Sequence, residues 1–67
     1  MHILEYLTSR KLTKKEFGRM CGVSHSAVNN YCLGHRLPNL LIGRTIEIVT
    51  AGEVRIDDLI NFWKSFR

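Results

Sequence analysis

Apolar residues recur along this chain in short clusters whose spacing predicts helices, each closed by a glycine or a polar turn. Ile3, Leu4 and Leu7 fall on one side of a short helix from His2 to about Ser9. Leu12-Thr13-Lys14-Lys15-Glu16-Phe17 comes next. Thr13 and Glu16 have the S/T-x-x-E spacing in which each side chain satisfies the other's backbone N–H, while Leu12 and Phe17 flank the start as a hydrophobic staple. A helix is therefore expected to begin at Thr13 and to stop near Gly22, a residue that adopts the left-handed conformation ending many helices. Ser24 is an N-cap for a further helix, His25 to Leu33, ending at Gly34, and Val23 with Val28 repeats the staple. Only Gly22 and Val23 separate the two helices, so the chain must turn sharply between them, which is a helix-turn-helix arrangement over about residues 14–33.

The second of these helices sorts cleanly around its axis. Ala27, Val28, Tyr31 and Cys32 share one face; His25, Ser26, Asn29, Asn30 and Leu33 share the other. The outer face holds amide, hydroxyl and imidazole groups and no carboxylate. A face that only meets water would more often carry Lys and Glu, which are better helix formers than Asn, Ser or His. The loss of helix propensity favours a reading role over plain solvation.

His35 to Asn39 reads as a loop, since Pro38 disfavours helix at Leu37 and Asn39 can cap a helix starting at Leu40. Leu40 to Ala51 supports two readings. Thr45 to Val49 is β-branched and alternating, as in a strand, and Ala51-Gly52 could turn it into a hairpin returning over Glu53 to Ile56. Leu41, Ile42, Thr45, Ile46 and Val49 equally form a helical stripe with Gly52 as its stop, and this reading is favoured. A closing helix is expected from about Ile56 to Phe66, with Asp57 and Asp58 at its positive end and Lys64 and Arg67 at the other.

The 67 residues suffice for a single domain with one core, and no ligand-sensing or catalytic domain is expected beside it. No apolar run has signal-peptide or membrane-span length, so a cytoplasmic protein is expected, with no membrane partner. Charge is one-sided. Residues 1–36 carry six Lys and Arg against two Glu, whereas residues 37–67 carry four against four Asp and Glu, so the whole net charge of +4 sits in the first half. Such a surface suits a polyanion. Cys21, His25, Cys32 and His35 give C-x3-H-x6-C-x2-H, a possible ligand set, but zinc sites favour tight CxxC knuckles, and buried free thiols explain the cysteines better. No metal, cofactor or small-molecule ligand is expected, and no paired acid and nucleophile suggests an enzyme.

The stretch T-K-K-E-F-G-R-M-C-G-V-S-H-S-A-V-N-N-Y-C-L-G-H-R-L-P resembles the Cro/C1-type (XRE) helix-turn-helix family of phage repressors and bacterial regulators. Gly18 stands at the family's small-residue position, Gly22-Val23 at its turn, Val28 and Tyr31 at its buried aliphatic and aromatic, and Gly34-x-Arg36-x-Pro38 at its exit loop. The tail R-T-I-E-I-V-T-A-G-E-V-R-I-D-D-L looks like that of short Cro-like and YdaS-like members. Departures are Gly18 where Ala is more usual, Cys32 where Glu is frequent, and Arg55 where a Thr or Ser cap is common. The resemblance implies an all-α, five-helix, lambda-repressor-like domain, which strengthens the helical reading of residues 40–51. It also implies that the His25–Leu33 helix enters the major groove of double-stranded DNA. His25, Ser26, Asn29 and Asn30 would then read bases, Asn29 and Asn30 by pairing with adenine. Lys14, Lys15, Ser24, Arg36, Arg10 and Lys11 would hold the backbone. One such helix contacts too few base pairs for useful discrimination, so a homodimer on a palindromic operator is expected, joined through Phe62, Trp63 and Phe66. The implied function is a phage-type repressor; an antitoxin-like autoregulator or a small protein-interaction adaptor are the alternatives. RNA is a poorer partner, because the reading face lacks aromatic residues for stacking.

Overall fold

All residues from 1 to 67 are described by the computed structural model, and four of its five helices, α1 being the exception, start where a side chain accepts from an N–H of the first turn. The order is α1 (Ile3–Arg10), α2 (Lys14–Cys21), α3 (His25–Leu33), α4 (Leu40–Val49) and α5 (Ile56–Lys64), with no strand. At α2 the expected capping box is complete: the Thr13 hydroxyl accepts from Glu16 N–H at 3.0 Å and the Glu16 carboxylate from Thr13 N–H at 2.9 Å. Ser24 accepts from Ala27 N–H at 3.1 Å at the head of α3, and Asn39 from Ile42 N–H at 2.9 Å at the head of α4. Arg55 offers α5 no side-chain acceptor; instead Asp58 accepts from Arg55 N–H at 3.0 Å, and Glu47, reaching across from α4, accepts from Ile56 N–H at 2.9 Å. Gly22 and Gly34 end α2 and α3 at φ +74° and +75°, where a side chain would be strained.

Residues 40–51 resolve as helix rather than hairpin. The reason lies at both ends of α4. Asn39 supplies the start, and Thr50, fully buried, supplies the stop: its hydroxyl donates to the Ile46 carbonyl at 2.8 Å and accepts from Val54 N–H at 3.0 Å. The chain then reverses at Ala51 and Gly52, both with positive φ.

Phe17, Ile3, Ile46, Val28 and Val54 form the centre of the core, with Tyr6, Leu7, Cys21, Tyr31, Cys32 and Leu59 around them. Full burial of side chains this size contributes about 1.5–3 kcal/mol each. α2 packs chiefly on α3, α4 bridges α2 and α5, and α1 lies against α3.

The expected stripe of α1 is rotated, and that of α4 departs at one residue while Ile42, Ile46 and Val49 pack on the core. In α1, Tyr6 is buried and Leu4 is exposed, because Ile3, Tyr6 and Leu7 are the residues that face α3. In α4, Leu41 is exposed although its spacing places it inward; Gly43 takes the inner position, and the Ile56 side chain fills the space a Cβ there would need. The helix ends also differ, since α4 stops at Val49 rather than Ala51 and α5 at Lys64 rather than Phe66. No helix is long and apolar enough to cross a membrane.

Candidate nucleic-acid interface

The angle between α2 and α3 is set by backbone. Val23 N–H donates to the Gly18 carbonyl at 2.9 Å, folding the turn against the side of α2. A Cβ on Gly18 would lie 2.7 Å from the Val23 carbonyl oxygen, so the turn approaches as closely as it does because residue 18 has no side chain. The buried face of α3 is the expected one, with Val28, Tyr31 and Cys32 in the core and Ala27 half-buried.

The opposite face presents the expected candidates for reading. His25 and Ser26 are exposed, Asn29 and Asn30 half-buried, and Leu33 exposed at the far end. Ser24 is exposed, and its oxygen already accepts from Ala27 N–H while its O–H remains free to donate. The Asn30 carbonyl collects the N–H of His35 at 3.0 Å and of Arg36 at 3.4 Å, which pins the exit loop to the last turn of α3. Arg36 is thereby carried next to the outer face of α3, exposed and in no ion pair.

The candidate backbone contacts do not all share one environment. Lys11 and Lys15 are exposed and unpaired. Arg10 is engaged within the fold: its guanidinium pairs with Glu53 and lies 5.2 Å from the centre of the Tyr6 ring. Lys14, on the first turn of α2, is half-buried and donates from Nζ to Asn29 Oδ1 at 2.7 Å. This bond joins a residue expected on phosphate to one expected on a base. Fifteen positions separate the two, so nothing in local spacing announces the contact.

The aromatic residues of the C-terminal helix fold back over the start of the chain and the end of α3. Phe62 stacks on the His2 ring at 3.9 Å between centroids and meets Phe66 edge-on at 5.1 Å. A Cβ on Gly34 would come within 2.5 Å of the Phe66 ring. His2 Nε2 lies 3.2 Å from the Cys32 carbonyl oxygen and, facing an acceptor, must carry the proton. Trp63 is half-buried beneath the Arg67 guanidinium, while Phe66 keeps 57% of its surface exposed. Sequence periodicity places these rings on α5 but gives no sign of the His2 and Gly34 contacts.

The electrostatics follow the caps and the core. The Glu16 carboxyl is held below its usual range, first by the Thr13 backbone N–H and then by the Thr13 hydroxyl. Burial pushes the Cys21 thiol up to about 11 and raises that of Cys32, against an opposing pull from the Lys14 ammonium. Both cysteines are free and in the core, whereas His25 and His35 are on the surface, so the four do not converge as metal ligands.

The helix-turn-helix family model matches residues 3–48, from the start of α1 almost to the end of α4. Comparison with curated proteins and with solved structures gave no match. The matched region spans both helices of the motif, its turn and its exit loop. On that match and the geometry of α2 and α3, the chain belongs to the Cro/C1-type (XRE) helix-turn-helix family of DNA-binding regulators.

Proposed function

We propose that this protein is a sequence-specific repressor of the phage or prophage kind that binds a palindromic operator as a homodimer. The observation that carries the reading is the outer face of α3: four short polar side chains, His25, Ser26, Asn29 and Asn30, with no carboxylate among them and unpaired cations at both flanks. Base edges in the major groove carry a distinct donor and acceptor pattern that such groups can match. Lys11, Lys15 and Arg36 hold the phosphates, with Lys14 and the Ser24 hydroxyl at the two helix N-termini. Arg10 is the weakest of this set, because reaching a phosphate requires giving up Glu53.

The two-fold contact is assigned to the end of α5, where Phe66 is the exposed aromatic beside Phe62 and Trp63. Trp and Phe are favoured at the centres of such surfaces. The test is selection of bound sequences from a random duplex pool, followed by sedimentation of the complex. An inverted repeat bound by two chains is expected; a lone half-site bound by one chain refutes the dimer. Phe66→Glu should reduce binding of the full palindrome toward that of one half-site. If Leu41→Glu does so and Phe66→Glu does not, the axis runs through α4 instead.

One observation favours a second reading, that of a protein-interaction adaptor. Leu40 and Leu41 are 77% and 74% exposed and share a face of α4 with Ile48. An adaptor would give no mobility shift on random duplex DNA at low salt, whereas a repressor shifts it through phosphate contacts alone.

A further inference from the structure

Lys14 and Asn29 meet in the free protein, and the chemistry of that contact restricts what Asn29 can read. A lysine ammonium has donors only, so the amide atom 2.7 Å from Nζ is the oxygen. This settles which way the amide faces: Oδ1 lies toward α2, and Nδ2 is the end left for another partner. The lysine is held in place on its own side too, since it is half-buried on the first turn of α2 and has no carboxylate to draw it away.

An unconstrained asparagine pairs with adenine through both ends of its amide, accepting from N6 and donating to N7. Asn29 cannot use its oxygen freely in this way, because the cation sits on it. The ammonium takes one of the two lone pairs on Oδ1 and puts a positive charge beside the other, so what the pair offers outward is chiefly N–H, from the amide nitrogen and from the remaining ammonium protons. An adenine N6 or cytosine N4 amino group brought to this surface would set donor against donor beside a positive charge. Guanine presents two acceptors, O6 and N7, and thymine one.

We propose that Lys14 and Asn29 form a single donor unit that selects guanine at the base pair facing Asn29, in place of the adenine that asparagine alone would favour. This selectivity rests on the duplex-reading role of α3 proposed above. It makes Lys14 a specificity residue rather than only a phosphate anchor.

The experiment is selection from a random duplex pool with the full chain, run in parallel for wild type, Asn29→Ala and Lys14→Met, which keeps the apolar stem of the lysine. The position whose preference disappears in Asn29→Ala should be guanine in the wild type, by about tenfold or more over adenine. Lys14→Met should lower that ratio by about fivefold or more and leave the other positions as they were, with Lys14→Gln as the substitute if the Met variant does not fold. Adenine at the Asn29-dependent position overturns the proposal, since it would mean that a phosphate draws Lys14 off the amide on binding. A Lys14 variant that weakens all duplexes equally, or an Asn29→Ala variant with an unchanged motif, overturns it as well. These outcomes leave α3 as a reader of DNA. A wild-type protein that enriches no sequence and shifts no duplex at low salt refutes the reading role itself.

Discussion

Replacing Gly18 with Ala sets two effects of opposite sign against each other, and the structure decides between them. In the interior of α2 a methyl group favours helix by about 1 kcal/mol over glycine. The same methyl would stand 2.7 Å from the Val23 carbonyl oxygen and 3.5 Å from the Ser24 backbone. Its neighbours are backbone atoms of the turn, so no side chain can rotate out of the way. Relief requires moving the turn off α2, which stretches the Val23–Gly18 bond now at 2.9 Å. Overpacking of this kind costs about 1–3 kcal/mol, and a weakened hydrogen bond adds up to about 1 kcal/mol. The balance is a net loss of about 1 kcal/mol, hence a Tm lower by about 4–8 °C in a domain of this size. Thermal melts followed by helical circular dichroism check the value. A Tm equal to or above that of wild type would refute the reasoning, because propensity would then outweigh a clash that the turn absorbs freely.

Asn30→Ala should reduce specific affinity by about 1–3 kcal/mol with random-duplex binding nearly unchanged, as titration of both duplexes will show; equal losses would place Asn30 on the backbone. Thr50→Val removes the acceptor of a buried N–H at Val54 and should destabilise by about 1–3 kcal/mol in urea titration. With its thiol near 11, Cys21 is thiolate in only about one molecule in a thousand at pH 8, so aromatic disulfide reagents should label it no faster than the chain unfolds. Glu16 has a lowered pKa in the folded chain, so its contribution to stability is present above the ordinary carboxylate range and is lost as pH falls through the lowered value. Glu16→Gln should flatten that acid limb, measured as Tm against pH.

The helix starts, and the stops at Gly22 and Gly34, were legible because they are local. Thr13 with Glu16, Ser24, Asn39, Gly22 and Gly34 each act within four residues, and each does in the structure what its spacing implied. The ambiguity at residues 40–51 arose because β-branched side chains alternate there. What decides it is a buried hydroxyl at Thr50 whose partners lie on either side of a turn. Hydrophobic spacing placed Ile42, Ile46 and Val49 of α4 on the core but could not show Gly43, which is buried there against an isoleucine from another helix. In the candidate interface, the outer face of α3 was legible as a set of residue types. The link from Lys14 to Asn29 was not, since it exists only once α2 and α3 are packed.

The five helices are each only eight to ten residues long. Isolated helices below about 12–15 residues are marginal in water. None of these segments, α3 included, can persist by itself, so the outer face of α3 is a property of the whole cooperative unit. Amide hydrogens in α3 should therefore exchange with solvent at a rate set by global unfolding, alongside those in the rest of the core. Partial loss of structure leaves no partial reader. A substitution anywhere in the core that raises the unfolded fraction lowers the concentration of binding-competent protein by that fraction, even when every side chain on the outer face of α3 is intact.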